Sequence, residues 1–316
     1  MSPGKITRNL RGSVVFAALT VNTVLWFTPL IVLAVIKLLL PMRSARLAIT
    51  RWLMAIGENW VSGNALILGL HRSAELDAHG LDNLNRDGWY LVIANHQTWS
   101  DILILQTIFN RRIPFLKFFI KQELIWFPLL GIAWWALDMP FMKRYSKSYL
   151  AKHPEKKGDD LRATREACKK FSTTPTSVIN FVEGTRFSVE KKERRGSQYD
   201  NLLPPRAGGI ALAVSSMGGM FDAILDVTVV YPDRVVSFWE MCCGELRPVV
   251  IDVVKRPVDE WLLQGDYSND REYRATFHRW LKDIWTEKDE RINALRTGRR
   301  PGRHRERRTL TSSKLS

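Results

Sequence analysis

The 316-residue sequence contains few cysteines and none of the short motifs that commonly mark a metal or nucleotide site. Its three cysteines are Cys168, Cys242 and Cys243, and two of them are adjacent, which suits neither an even disulfide framework nor the paired spacing of a zinc site. The sequence also has no HExxH pattern, no Walker or dinucleotide-binding glycine loop, and no GxSxG turn. We therefore expect a protein of a reducing compartment that uses neither a metal nor an organic cofactor.

Acidic residues are scarce relative to basic ones. There are 32 Asp and Glu against 47 Lys and Arg, which gives a formal net charge of +15. A surplus of this kind favours acidic partners such as phospholipid headgroups, phosphorylated substrates or nucleic acid. The 12 tryptophans are compatible with a membrane interface, where tryptophan is enriched, and also with a large soluble core. A hydrophobic content of 46% excludes a disordered chain.

Charge is absent altogether from residues 12–36, and most of these 25 residues are aliphatic or aromatic. This run is long enough to span hydrocarbon, which takes about 20 helical residues. A cleaved signal peptide is the alternative, although its apolar stretch would normally be about 7 to 15 residues. Basic residues flank both ends of the run, so they do not settle its orientation. Residues 52–70 carry one charge, Glu58, and predict either an interfacial helix or an ordinary amphipathic helix of the domain. Residues 1–70 are therefore predicted to form a membrane anchor.

From residue 71 to residue 295 the pattern predicts an α/β domain with a mostly parallel sheet flanked by helices. Continuous apolar runs typical of doubly buried strands alternate with helical segments. Strands are predicted at 90–94, 115–120, 178–182 and 223–230, with further strands in 235–254, and helices at 99–109, 159–171, 209–217 and 270–295. Residues 296–316 form a basic tail, predicted to be disordered, in which seven of the first thirteen residues are Arg.

The first candidate site follows the predicted strand 90–94 and reads Asn-His-Gln-Thr-Trp-Ser-Asp over residues 95–101. One interpretation is a capping box, in which Thr98 and Asp101 simply open the next helix. The other places His96 outside the helix and Asp101 in its first turn, so that the chain folds back and the carboxylate meets the imidazole. An Asp on one ring nitrogen fixes the tautomer, and the other nitrogen can then accept a proton from a hydroxyl.

The second candidate site is Glu183-Gly184-Thr185-Arg186, at the end of the predicted strand 178–182. Ligands of open α/β sheets bind beyond the carboxyl ends of the strands, where both candidate sites fall. Glycine permits a tight turn, and the planar guanidinium of Arg186 suits phosphate. An exposed surface turn is the structural alternative. In the basic segment 190–206 the lysines favour a solvated loop, whereas Arg206, which precedes two glycines at a helix start, is better placed to meet an anion.

Together these residues resemble the glycerolipid acyltransferases, typified by the 1-acylglycerol-3-phosphate acyltransferases. Residues 95–101 resemble the NHxxxxD block of that family, and residues 183–186 resemble its EGTR block. Other segments resemble the remaining blocks in order, namely residues 121–124 with Pro128 and Gly131, residues 141–144, and the apolar strand with proline at 227–232.

The resemblance implies an enzyme that moves a fatty acyl group from acyl-CoA or acyl carrier protein to the hydroxyl of a lysophospholipid. His96 would be the general base and Asp101 its orienting partner, with direct attack on the thioester and no acyl-enzyme. The residues implied to hold the phosphate headgroup are Lys121, Arg144, Glu183, Gly184, Thr185 and Arg186, and residues 126–135 would guide the acyl chain. The implied location is a bacterial inner membrane, with the domain facing the cytoplasm.

A nucleic-acid-binding protein is the alternative function, because the Arg-rich tail could bind phosphate backbones. The tail lacks interleaved aromatic residues and any recognised binding module. The same arginines would favour an anionic membrane surface at about 1 kcal/mol each. We therefore expect a membrane partner and no nucleic-acid partner.

Overall fold

The computed structural model describes most of the chain, and the description below concerns those residues alone. They are residues 3–70, 76–127, 130–142 and 174–298, together with the isolated residues 153, 162, 165, 166, 168 and 171.

A six-stranded mixed sheet forms the centre of the domain, in the order β1-β8-β7-β2-β6-β3. Every neighbouring pair is parallel except β7 and β8. The strands are β1 (Leu76–His79), β2 (Tyr90–Ala94), β3 (Leu116–Phe118), β6 (Ser177–Phe181), β7 (Ala223–Val230) and β8 (Val249–Arg256), and a separate pair comprises β4 (Ile120–Lys121) and β5 (Phe141–Met142). The predicted α/β fold with a mostly parallel sheet is confirmed.

Helices cover both faces of this sheet. They are α1 (Pro3–Leu39), α2 (Arg43–Leu68), α3 (Ser100–Phe109), α4 (Leu130–Ala136), α5 (Val189–Arg194), α6 (Ala207–Met217), α7 (Phe238–Cys242), α8 (Glu260–Gln264) and α9 (Arg271–Arg296), with 3-10 turns at Gln122–Trp126 and Gly218–Met220. The predicted helix at 159–171 falls almost wholly outside the described residues.

Strands β2 and β7 are buried at every position, which explains their uninterrupted apolar sequences. One hydrophobic cluster on the sheet includes residues of α6 and α9, and a second includes residues of α3 and α7. The sequence therefore identified the central strands correctly, because burial on both faces removes the polar alternation that would otherwise mark a strand.

The prediction of strands throughout 235–254 was wrong in its first half. Ser237 accepts a hydrogen bond from the Glu240 amide while the Glu240 side chain accepts one from the Ser237 amide, a capping box that opens α7. The strand β8 begins only at Val249. Local capping has therefore overridden the β-propensity of the valines in this segment.

Helix α1 is, among the described residues, the one helix long and apolar enough to cross a membrane. It nevertheless contacts the rest of the protein along its length. Asn22 donates a 2.9 Å hydrogen bond to Asn64 of α2, Lys37 lies 3.0 Å from the carboxylate of Asp138, and Arg8 pairs with Glu245. Helix α1 and the α/β domain are therefore packed together rather than joined only by a linker.

Helix α2 has one side packed against the domain and one side exposed. Glu58 is buried and pairs with Arg86 of the α/β domain, so this side packs as an ordinary domain helix. Trp52 and Leu66 are each 67% exposed on the other side.

Candidate active site

His96 and Asp101 meet immediately beyond β2. The Nδ1 atom of His96 lies 2.9 Å from Oδ2 of Asp101, and both residues are buried. The imidazole also stacks on Phe181 at the end of β6, with ring centroids 4.0 Å apart. Because Asp101 occupies Nδ1, the Nε2 atom of His96 is the ring nitrogen available to a ligand. The fold-back expected from the five-residue spacing is therefore present.

The capping interpretation is half correct. The Asp101 carboxylate accepts hydrogen bonds from the backbone amides of Gln97 and Thr98, at 2.6 and 3.0 Å, as the acid of a capping box would. The Thr98 hydroxyl, however, donates to the carbonyl of Val236 instead of capping the helix. The same carboxylate thus fixes the turn and contacts His96.

Two further residues hold this turn, and sequence reasoning gave neither of them a role. Tyr231 donates a 2.6 Å hydrogen bond from its hydroxyl to Oδ1 of Asp101 and is buried. Asn95 is fully buried, and its amide exchanges two hydrogen bonds with the backbone of Val229, at 2.8 and 2.9 Å. The Asn95 side chain thereby extends the ladder between β2 and β7 by one position.

Glu183 lies in a different environment from the one expected of a phosphate ligand. It is fully buried, and its carboxyl oxygens accept hydrogen bonds from the backbone amides of His96 and Leu203, each at 3.3 Å. Burial raises the pKa of Glu183 to about 8. A carboxyl that is enclosed and engaged with backbone cannot face a headgroup, so the expected phosphate contact does not fit this residue.

The rest of the EGTR segment reaches the surface beside His96. Gly184 adopts a φ of +66°, which favours glycine, and a Cβ there would lie 3.0 Å from Cδ of Arg206. Thr185 accepts a hydrogen bond from Lys191 at 3.1 Å. Arg186 is exposed, and its guanidinium lies 4.7 Å from the centre of the Trp99 ring. Arg186 and Arg206 form no ion pair with any described residue, which leaves both guanidinium groups available to an anion.

Two predicted headgroup residues have no described side chain. The backbone of Lys121 lies in β4, where it pairs with Met142 of β5. Arg144 lies outside the described residues, as does the tail from residue 299 onwards.

Two cavities lie next to each other in this region, and His96 lines the first of them. The first has a volume of about 480 Å³, and its polar end is lined by His96, Thr185, Arg186 and Arg206. The second has a volume of about 430 Å³ and an almost wholly apolar lining, to which α1, α2, α3 and α4 all contribute. Trp99 and Phe118 line both cavities. One ligand with a charged end and an aliphatic end would therefore find a matching surface on either side of these two rings.

Comparison with known proteins is consistent with this architecture. A family model described as Acyltransferase matches residues 75–232. The chain is 25% identical to the epsilon 1-acyl-sn-glycerol-3-phosphate acyltransferase of Mus musculus, over 45% of this chain and 40% of that protein. It is 30% identical to 1-acyl-sn-glycerol-3-phosphate acyltransferase 3 of Arabidopsis thaliana, over 49% of this chain and 41% of that protein. The chain thus spans about two fifths of the length of these relatives.

The fold is similar to the crystal structure of the 1-acyl-sn-glycerophosphate acyltransferase PlsC from Thermotoga maritima. The TM-score is 0.50 at 17% identity, over 88% of this chain and 98% of that one. At this identity the likeness concerns the fold alone. The family match covers half of the sequence and includes both the His96–Asp101 pair and the EGTR segment, so the chain belongs to the glycerolipid acyltransferase family.

Proposed function

We propose that this protein transfers a fatty acyl group from an acyl thioester to the free hydroxyl of a lysophospholipid, with 1-acylglycerol-3-phosphate as the simplest acceptor. The observation that supports this most is the position of His96. Its ring lines the cavity with the basic end, and this cavity shares Trp99 and Phe118 with the apolar cavity. A lysophospholipid has the same division into an anionic headgroup and an aliphatic chain.

In the proposed reaction, Nε2 of His96 accepts the proton of the acceptor hydroxyl as its oxygen attacks the thioester carbonyl carbon. Asp101 holds the ring through Nδ1 and stabilises the imidazolium that forms. When the tetrahedral intermediate collapses, the carbon–sulfur bond breaks, and the imidazolium returns its proton to the departing thiolate. The ester product and a free thiol account for all the atoms, so no acyl-enzyme, metal or organic cofactor is required.

The anionic headgroup would lie against Arg186 and Arg206. A guanidinium can bind a phosphate through two parallel hydrogen bonds, and these two lack a carboxylate partner among the described residues. Because Gly184 has no Cβ, the Arg206 side chain can lie against the backbone of this turn, and both residues line the same cavity as His96. In this proposal Glu183 does not contact the headgroup but is buried and accepts a hydrogen bond from the backbone amide of His96.

An acyl chain would occupy the apolar cavity. Residues Leu130, Ala133 and Trp134 of α4 line it, which agrees with the expectation that residues 126–135 guide the chain, although Trp126 itself is 86% exposed. Helices α1 and α2 complete the wall, so the membrane-facing part of the protein and the acyl site are continuous.

We place the protein at the cytoplasmic face of a membrane, where acyl-CoA and acyl carrier protein would reach it and anionic lipids would attract its net positive charge. A bacterial inner membrane remains the predicted location. The apolar exposed side of α1 supports attachment, since Leu10, Val21 and Leu25 are each more than 60% exposed.

The proposal is tested with purified protein, labelled acyl-CoA and acyl carrier protein thioesters, and a panel of lysophospholipids, with the products resolved by mass. We expect one diacyl product class from the wild type and a loss of at least about a hundredfold in rate for His96→Ala, the usual contribution of a general base. His79→Ala is the matched control, because His79 lies in β1 and does not line either cavity. Wild-type turnover by a folded His96→Ala variant would overturn the mechanism.

A further inference from the structure

Helix α9 lies beyond the part of the chain that the family model matches, yet it is bonded to the segment that supports the catalytic turn. Asp289 accepts hydrogen bonds from the backbone amides of Asp200 and Asn201, at 2.7 and 2.8 Å, and a third from the Asn201 side chain. The indole N–H of Trp285, which is fully buried, donates to the carbonyl of Leu203 at 3.1 Å. One face of α9 thus fixes residues 200–203.

The same short segment supports the active site. The amide of Leu203, the residue whose carbonyl Trp285 holds, donates to Oε2 of Glu183. The other carboxyl oxygen of Glu183 accepts from the amide of His96. The carbonyl of His96 in turn accepts a 2.7 Å hydrogen bond from the amide of Phe187, which follows the EGTR segment. The N–H of His96 therefore depends, through Glu183 and Leu203, on a segment that α9 holds in place, and its carbonyl is held by the residue after the EGTR segment.

Helix α9 is itself anchored to the sheet. Lys288 is fully buried, and its ammonium lies 2.6 Å from the carboxylate of Asp226 in β7 and donates to the carbonyl of Val227. A buried ion pair that also binds backbone fixes the position of the helix along the strand. Thus Trp285 and Asp289 project from a rigid support.

We propose that Trp285 and Asp289 are positioning residues for acyl transfer, acting on His96 through Leu203 and Glu183. This inference rests on the proposed function. Trp285 and Asp289 do not line the cavities beside His96. We therefore expect both residues to affect the rate of the chemical step rather than the binding of either substrate.

The test compares Trp285→Phe and Asp289→Asn with Trp280→Phe, a matched aromatic substitution on the same helix at a ring that contacts Phe277 and Trp261. We expect kcat to fall about fivefold in the first two variants, with both KM values unchanged and Trp280→Phe at the wild-type kcat. Combining Trp285→Phe with Glu183→Gln should lower kcat by less than the product of the two single effects, because both act on the same contact. Multiplicative losses, or an unchanged kcat in both folded variants, would overturn the proposal.

Hydrogen–deuterium exchange supplies a readout that does not require activity. In Trp285→Phe we expect faster exchange in residues 199–206 and also in residues 95–101, with neither change in Trp280→Phe. Faster exchange in 199–206 alone would show that α9 does not reach His96 and would overturn the inference. If the wild type transfers no acyl group, the proposed function fails, while the exchange comparison still decides whether α9 supports the catalytic turn.

Discussion

Tyr231 completes a three-residue chain with Asp101 and His96. Its hydroxyl is the one donor to Oδ1 of Asp101 among the described residues, and the pair is buried, so removing it leaves a charged oxygen without a partner. We expect Tyr231→Phe to lower kcat by about ten- to a hundredfold, since a hydrogen bond to a charged group contributes about 1.5 to 3 kcal/mol. Steady-state kinetics with both substrates measures this effect.

The control for Tyr231→Phe is Tyr90→Phe. Tyr90 is a buried tyrosine in β2 whose hydroxyl accepts a hydrogen bond from Asn85, in the loop that precedes the strand. That variant should lose some thermal stability and keep its kcat. A Tyr231→Phe enzyme with an unchanged kcat would show that Asp101 is held adequately by the backbone amides of its own turn.

Glu183 predicts a pH dependence of stability. Burial raises its pKa to about 8 in the folded protein, whereas an unfolded glutamate titrates near 4.5. Between these two pH values the folded protein therefore binds one proton that the unfolded chain does not. The contribution of this proton to the free energy of unfolding is fully present below pH 4.5 and is lost as the pH rises through about 8. It amounts to at most about 5 kcal/mol. Unfolding free energies measured from pH 5 to 9 should fall more steeply for the wild type than for Glu183→Gln. Parallel curves would mean that Glu183 is ionised in the folded protein throughout.

The contact between His96 and Asp101 could be predicted from the sequence because the two residues are close in the chain. Tyr231 lies 130 positions from Asp101, and no spacing rule connects them. The burial of Glu183 could not be predicted from the sequence either, since the sequence of residues 183–186 is equally compatible with an exposed turn. The sequence therefore indicated which segments come together around His96, but it could not distinguish a residue that faces the cavity from one that holds the backbone behind it.

At the scale of elements, the central strands could be predicted from their uninterrupted apolar sequences. The cavities could not be predicted from any sequence pattern. The apolar cavity is lined by four helices, of which α1 and α4 are far apart in the chain. Its volume depends on side chains that meet only in the folded protein. The sequence thus indicated that residues of α4 are apolar, but it could not indicate the volume of the cavity that they line.

The shape of this cavity leads to a prediction for the acyl-donor preference of an Ala133→Phe variant. Ala133 is buried on the side of α4 that lines the cavity, so a phenyl ring there should occupy space that the end of an acyl chain would use. We expect the preference among acyl donors to shift towards shorter chains, with turnover of the shortest donors unchanged. The measurement is a competition among saturated acyl donors of graded length.

The matched control for that substitution is Ile132→Phe. Ile132 is the neighbouring residue of α4, is 44% exposed and does not line this cavity. Its donor preference should equal that of the wild type. An equal shift in both variants would indicate a general distortion of α4 instead of a shorter acyl site.

At the scale of the whole molecule, the contacts of helix α1 provide information about its orientation that its uncharged sequence does not. Residues 12–36 suggest a membrane span by length alone. In the structure, Arg8 before the run pairs with Glu245, and Lys37 after it pairs with Asp138. These two basic residues are about 43 Å apart along an ideal helix, which exceeds the hydrocarbon thickness of about 30 Å. Both Glu245 and Asp138 belong to the same charged domain, which cannot cross hydrocarbon.

We therefore predict that α1 lies along one leaflet and that both of its ends are on the side of the membrane that holds the α/β domain. Single cysteines at Lys5→Cys, in the first turns of α1, and at Lys255→Cys, on β8, should react with a membrane-impermeant maleimide from the same side of sealed vesicles. The three native cysteines are buried, so the wild type serves as the unlabelled control. Washing with high salt should leave the protein in the membrane fraction, because the exposed face of α1 is apolar. Labelling of the two positions from opposite sides would mean that α1 crosses the bilayer and that its contacts with Glu245 do not persist there.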